Sequence, residues 1–168
     1  EGQPPVPMVL VDTGLSIRHL PREGPRAYGL QGFTATPAPD NGFEEAFIAR
    51  SGLPSLPSDA ANAYDAVLLL GYALHVSGGQ GGRSLFEALE AVASYDGTPV
   101  GWDSEGVQAG VHAIDRGESP NISGATGQMA FDPQLGMDLD AAWYAHWRLT
   151  PRGFETIQHY HSGAVDSY

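Results

Sequence analysis

The stretch from Asp59 to Gly79, DAANAYDAVLLLGYALHVSGG, constrains the fold more than any other part of the chain. Ala60, Tyr64, Val67, Leu68 and Gly71 fall at helical spacing, Ser58 stands where a helix opens, and Gly78-Gly79 ends the pattern. This is the longest helix that the sequence predicts. Its continuous apolar run, Ala66 to Ala73, is interrupted by Gly71 and falls far short of the ~20 residues of a membrane span. The chain of 168 residues is long enough to bury such a helix in one domain with a real core.

Around that helix, glycine and proline punctuate the sequence. PMVLV, residues 7–11, reads as a short buried strand and LSIRHL, residues 15–20, as a short helix. A second strand is expected from Leu30 to Thr36, stopped by Pro37 and Pro39. Asp40 or Asn41 then caps a helix through Arg50, with Phe43 and Phe47 on one face and Gly52 at its end. Ser84 caps a third helix striped by Leu85, Leu89 and Val92. Ser104 caps a fourth, with Val107, Val111 and Ile114 aligned and Gly117 beyond it. GQMAFD reads as a strand, and WYAHWRLT-PRG-FETIQHY as an antiparallel hairpin. Strands separated by helices imply an α/β fold with a mainly parallel sheet, flanking helices and a C-terminal antiparallel hairpin. Few strands for four helices suggests that part of the fold lies outside this sequence. The opening EGQPPVP, without a leading Met, reads as a trimmed piece.

The net charge of −12, with 8 Lys+Arg, argues against nucleic acid and against an anionic membrane surface, both of which need a basic footprint. Without cysteine, disulfides and cysteine-based metal sites are excluded.

VLVDTG, residues 9–14, ends as the catalytic strand of an aspartic protease ends. Such an enzyme needs two aspartates sharing a proton, and the family continues with Ser or Ala where this chain has Leu15. Asp12 reads instead as a helix cap or as a ligand contact at the carboxyl end of a strand. His159 and His161 share a strand face in HYH, yet a solvated hairpin strand accounts for them. The remaining histidines find no carboxylates at ligand spacing. DPQLGMDLD, residues 132–140, lacks the terminal Glu of a calcium loop, and NIS, residues 121–123, is a glycosylation sequon of a kind common by chance. There is no G-x-S-x-G elbow and no phosphate loop, so no catalytic residue, metal ligand or cofactor site is assigned.

Three stretches in order carry a family resemblance. AANAYDAVLLLGYAL (60–74), SGATGQMAFDPQLG (123–136) and YAHWRLTPRGFETI (144–157) resemble, respectively, the Tyr-Asp-Ala helix, the Gly-x-hydrophobic-Phe-Asp strand and turn, and the closing hairpin of type I periplasmic binding proteins. That family includes the branched-chain amino-acid-binding proteins and receptor ligand-binding regions. PMVLVDTG and GLQGFTATPAP are similar to its strand, loop and strand just before the chain crosses lobes. The resemblance implies the later half of a bilobed α/β protein. Residues 1–35 would end the second lobe, 36–131 would form the later part of the first, and 132–168 would form the hinge return and closing hairpin. It implies extracytoplasmic binding of an amino acid or similar polar molecule as the solute-binding component of an ABC-type transporter, in the periplasm or lipid-anchored at the surface. A sensor or structural surface domain is the alternative, and a DTG protease a further one. The implied ligand contacts are Asp12, Thr13, Gly14 and Ser16, with Asp12 pairing a ligand ammonium, and Asp59, which stands where the family has an aromatic residue. That departure points to a more polar or cationic ligand. The implied partners are the small ligand, an N-terminal portion of the same polypeptide, a membrane permease and a second copy of the fragment. Tyr64 is expected in the core, and Asp65 on backbone donors of its helix's first turns.

Overall fold

The structure, a computed structural model, describes residues 9–10, 24–57, 59–131, 139 and 141–162. It is a mixed α/β fold with four helices and two sheets. In chain order the elements are β1 (Val9–Leu10), β2 (Gln31–Ala35), α1 (Phe43–Ser51), α2 (Ala60–Val76), α3 (Arg83–Val92), β3 (Thr98–Gly101), α4 (Ser104–Asp115), β4 (Pro120–Gly124), β5 (Gly127–Gln128), β6 (Trp143–Thr150) and β7 (Gly153–His161). Sheet A has the order β1-β2-β6-β7, and sheet B the order β3-β4-β5.

The sheets are mixed rather than mainly parallel. β1 pairs parallel with β2 and β3 with β4, whereas β2–β6, β6–β7 and β4–β5 are antiparallel. Three helices follow β2 without a strand between them. The chain then returns beside β2 in the opposite sense, and its hairpin extends that edge. The expected parallel arrangement survives in β3-α4-β4. Neither β3 nor β4 is evident from sequence, because TPVG and PNISG carry the residues that weaken strands. Pro99, on the open edge of sheet B, also leaves that edge without one of its amide donors.

Local signals set most helix ends. Asn41 Oδ1 accepts from the amide of Phe43 at 3.0 Å, and Gly52 closes α1 in the left-handed conformation. α4 is capped by Asp103, one residue before the expected Ser104; its Oδ1 accepts from the amide of Gly106 at 2.7 Å. Gly82 rather than Ser84 precedes α3, and Ser58 lies outside the described residues.

One face of sheet B, with Val100 and Ile122, packs on Leu68, Leu69, Tyr72 and Ala73 of α2 and on Val92 and Met129. A smaller cluster joins Phe43, Ala61 and Ala125. In sheet A, Ala145, Trp147 and Leu149 alternate inward along β6.

Where the turn after α4 meets the start of β3, Arg116 donates to both carboxylate oxygens of Glu118, and Thr98 Oγ1 donates to Oε2 at 2.7 Å. Those bonds, the arginine's first, pull the Glu118 carboxyl down to about 2. A lowered folded-state pKa contributes stability that is present above the ordinary carboxylate range and fades as pH falls towards 2. In Glu118→Gln, unfolding measured from pH 7 to pH 2 is expected to show a shallower acid-side decline, with a small change at neutral pH because the pair is solvent-screened.

Candidate functional site

Ligands of open α/β sheets gather at the carboxyl ends of parallel strands. In sheet B those ends are Gly101 and Gly124, and the connection from sheet A runs across them. The connection is pinned on both sides: the amide of Thr36 donates to Trp143 O at 3.1 Å and that of Ala38 to Ala125 O at 3.0 Å. Asn41 fixes its far end by donating through Nδ2 to Ala125 O at 2.9 Å. Trp102 Nε1 donates to Asn41 O at 3.2 Å, and the Tyr64 hydroxyl donates to Trp102 O. The ring of Phe43 sits 5.2 Å from both Tyr64 and Trp102.

Asp65 anchors this network. Its Oδ1 accepts from the amide of Ala125 at 2.7 Å, and its Oδ2 accepts from the amide and the hydroxyl of Thr126. Asp65 is 3% exposed, and burial raises its pKa even though all three donors favour the anion. Asp65 therefore satisfies backbone donors as its sequence context suggests, but those of the β4–β5 turn, not of its own helix. Tyr64 is not a core residue; its ring stands at the surface with its hydroxyl tied to the strand end.

Beside the network lies a cleft of about 180 Å³, lined by the crossing residues Thr36–Gly42, by Glu44 and Glu45 of α1 and by His159 of β7. Asp40, Glu44 and Glu45 give it an acidic wall. Asp40 has φ 59°, a left-handed conformation that non-glycine residues seldom adopt. Helix geometry leaves the first amides of α1 without intrahelical acceptors. Asn41 takes that of Phe43; among the described residues those of Glu44 and Glu45 have no acceptor and face solvent or a ligand. A larger cavity of about 520 Å³ opens at the opposite end of sheet B, near His75, Asp115 and Glu118. Its carboxylates are already engaged, Asp115 by His75 at 2.7 Å and Glu118 by Arg116 and Thr98. We therefore place the candidate site at the smaller cleft.

Of the residues predicted as ligand contacts, Asp12, Thr13, Gly14 and Ser16 lie outside the described residues. Asp59 precedes α2, is exposed, and is not among the residues lining the cleft. His159 and His161 do share one strand, and His161 packs its ring 4.7 Å from Trp143. His75 does find a carboxylate, Asp115, forty residues away and beyond what local spacing reveals. Among the described residues no group of three His, Asp or Glu is arranged to hold a metal. Asn121 of the sequon lies in β4. Its Nδ2 donates to Tyr95 O at 2.7 Å and its Oδ1 accepts from Gln128 Nε2, so both ends of the amide are occupied in the folded chain. The sequence does not reveal the acids of the cleft: Asp40 reads as a helix cap, and acids such as Glu44 and Glu45 are ordinary in the first turn of a helix.

Comparison with protein-family models, with curated proteins and with solved structures gives no match to this chain.

Proposed function

We propose that the chain is a non-catalytic binding unit of the type I periplasmic-binding kind, taking an amino acid or similar small polar ligand with a cationic group. The observation that carries this reading is the acid-walled cleft where the chain passes between its two sheets. An ammonium group leaving water needs a carboxylate and further acceptors, and Asp40, Glu44 and Glu45 offer them. A ligand carboxylate has the free first-turn amides of α1 to accept from. The volume is below the ~300–1,000 Å³ of drug-sized pockets and suits a ligand of amino-acid size.

Two further features support the two-lobed reading. Sheet A draws its strands from residues before 36 and after 142, and sheet B from residues 98–128, so the chain passes from one sheet to the other and back. β1 also runs parallel to β2, which leads into the crossing, and Asp12 follows two residues after β1 in sequence. Asp12 remains the proposed ammonium partner, and Thr13, Gly14, Ser16 and Asp59 the further proposed contacts, on the family resemblance alone. In a longer polypeptide with an N-terminal first-lobe portion, such a unit would serve outside the cytoplasm and deliver its ligand to a membrane permease.

Calorimetry against cationic, zwitterionic and anionic amino acids tests the proposal. Micromolar binding, about −8 kcal/mol, is expected for cationic or zwitterionic members and none for the anionic ones. Absence of heat with every member would sink the binding reading.

A further inference from the structure

The chain contains a single Asn-Gly pair, Asn41-Gly42, and it stands where the crossing reaches α1. An asparagine before glycine is open to attack by its own backbone. The next residue's amide nitrogen lies within reach of the side-chain carbon Cγ, and glycine has no Cβ to block the approach. At Gly42 φ is 78°, and a Cβ would find only Trp102, at 3.9 Å. Among the described residues the Gly42 amide has no acceptor, so its nitrogen is not committed elsewhere. The other two asparagines lack this opening. Asn62 precedes Ala63, whose amide donates to Asp59 O at 2.9 Å in the first turn of α2. Asn121 precedes Ile122, a β-branched residue of β4 that is fully buried.

The two ends of the Asn41 amide act in opposite directions. Oδ1 accepts from the Phe43 amide at 3.0 Å at the start of α1, a position that steadies negative charge developing on that oxygen. Nδ2, the atom that must leave, donates to Ala125 O at 2.9 Å and to Gly124 O at 3.4 Å. This clasp joins the crossing to the β4–β5 turn and holds back the leaving group at once.

We propose that Asn41 is a site of deamidation that releases the crossing in one direction. Gly42 N gives its proton to a solvent base and bonds to Asn41 Cγ. The Cγ–Nδ2 bond breaks, and Nδ2 departs as ammonia with a proton from water. Water then opens the cyclic imide at either carbonyl, leaving aspartate or isoaspartate at position 41. Water is consumed and ammonia released, with no electrons exchanged. A carboxylate on this side chain still accepts from the Phe43 amide, so the cap of α1 survives. It cannot donate to Ala125 O, and its charge joins Asp40, Glu44 and Glu45 around the cleft. At the β4–β5 turn the crossing is then left with the bond from the Ala38 amide to Ala125 O. None of this depends on what the cleft binds.

Peptide mapping of the folded chain, held for weeks in mildly alkaline buffer, is the test. The tryptic peptide Ala27–Arg50 is expected to gain about 1 Da as ammonia appears, while the peptides carrying Asn62 and Asn121 keep their mass. In urea, with the clasp open, the same peptide is expected to convert at least about tenfold faster. Asn41→Asp, which supplies one product directly, is expected to lower the melting temperature by roughly 2–4 °C and to speed hydrogen exchange at the Ala38 amide. An Ala27–Arg50 peptide that never changes mass overturns the proposal. So does conversion of all three asparagines at one rate, or of Asn41 at the same rate with and without urea. An Asn41→Asp chain that melts and exchanges as wild type does would show that nothing is released, with the same consequence.

Discussion

Asp65→Ala is expected to destabilise the fold by about 3 kcal/mol, read as a lower midpoint in urea at unchanged slope. The substitution leaves the amide of Ala125, a fully buried residue, and that of Thr126 without their acceptor. It also frees the β4–β5 turn from α2, so the crossing that rests on Ala125 loses its seat. The pH dependence has a definite sign. Because burial raises the Asp65 pKa, the folded chain holds this proton more tightly than the unfolded chain does. The group's contribution therefore declines as pH rises from its unfolded value of 3.8 through its raised folded value. Asp65→Asn keeps one acceptor and removes the titration. It is expected to lie between wild type and Asp65→Ala in stability and to lose that pH-dependent component, as urea unfolding between pH 3 and pH 7 would reveal.

Gly110→Ala is the second large effect. In an exposed helix this change adds up to about 1 kcal/mol of stability. Here the new methyl would meet Tyr72 at 2.2 Å from Oη and 2.4 Å from Cζ, and Tyr72 is 2% exposed. The ring has little freedom to withdraw, since it is buried and its hydroxyl donates to Val107 O at 3.2 Å. α2 and α4 must separate, at about 2 kcal/mol or more, with a loss of roughly 4–8 °C in thermal melting. The same replacement at Gly71, where the Cβ position is empty, is expected to change melting in the opposite direction.

That contrast also shows what a sequence conveys. Gly71 and Gly110 both read as helix-interior glycines, and only the packing of Tyr72 separates them. The ends of α1, the C-terminal end of α2 and the closing hairpin were legible because local chemistry writes them: Asn41 on the amide of Phe43, Gly52 and the Gly78-Gly79 stop, and the turn before Gly153. Strands β3 and β4 were hidden because their Pro and Gly residues oppose a strand, while pairing with each other and the core behind them favours it. The candidate cleft itself was not legible. The strand-then-proline pattern marks the end of β2, where the crossing begins. The acid wall of the cleft, however, depends on Asn41 reaching Ala125 and Asp65 reaching Thr126, contacts 84 and 61 residues apart in sequence.

The central claim is that the cleft at the crossing binds a cationic or zwitterionic small molecule. Amide chemical shifts recorded during titration with the tightest amino acid from the calorimetric panel test it most directly. Saturable shifts are expected at residues 36–45 and around His159, lost in an Asp40→Asn, Glu45→Gln double variant that still melts cooperatively. Shifts centred elsewhere, or undiminished in that variant, would contradict it.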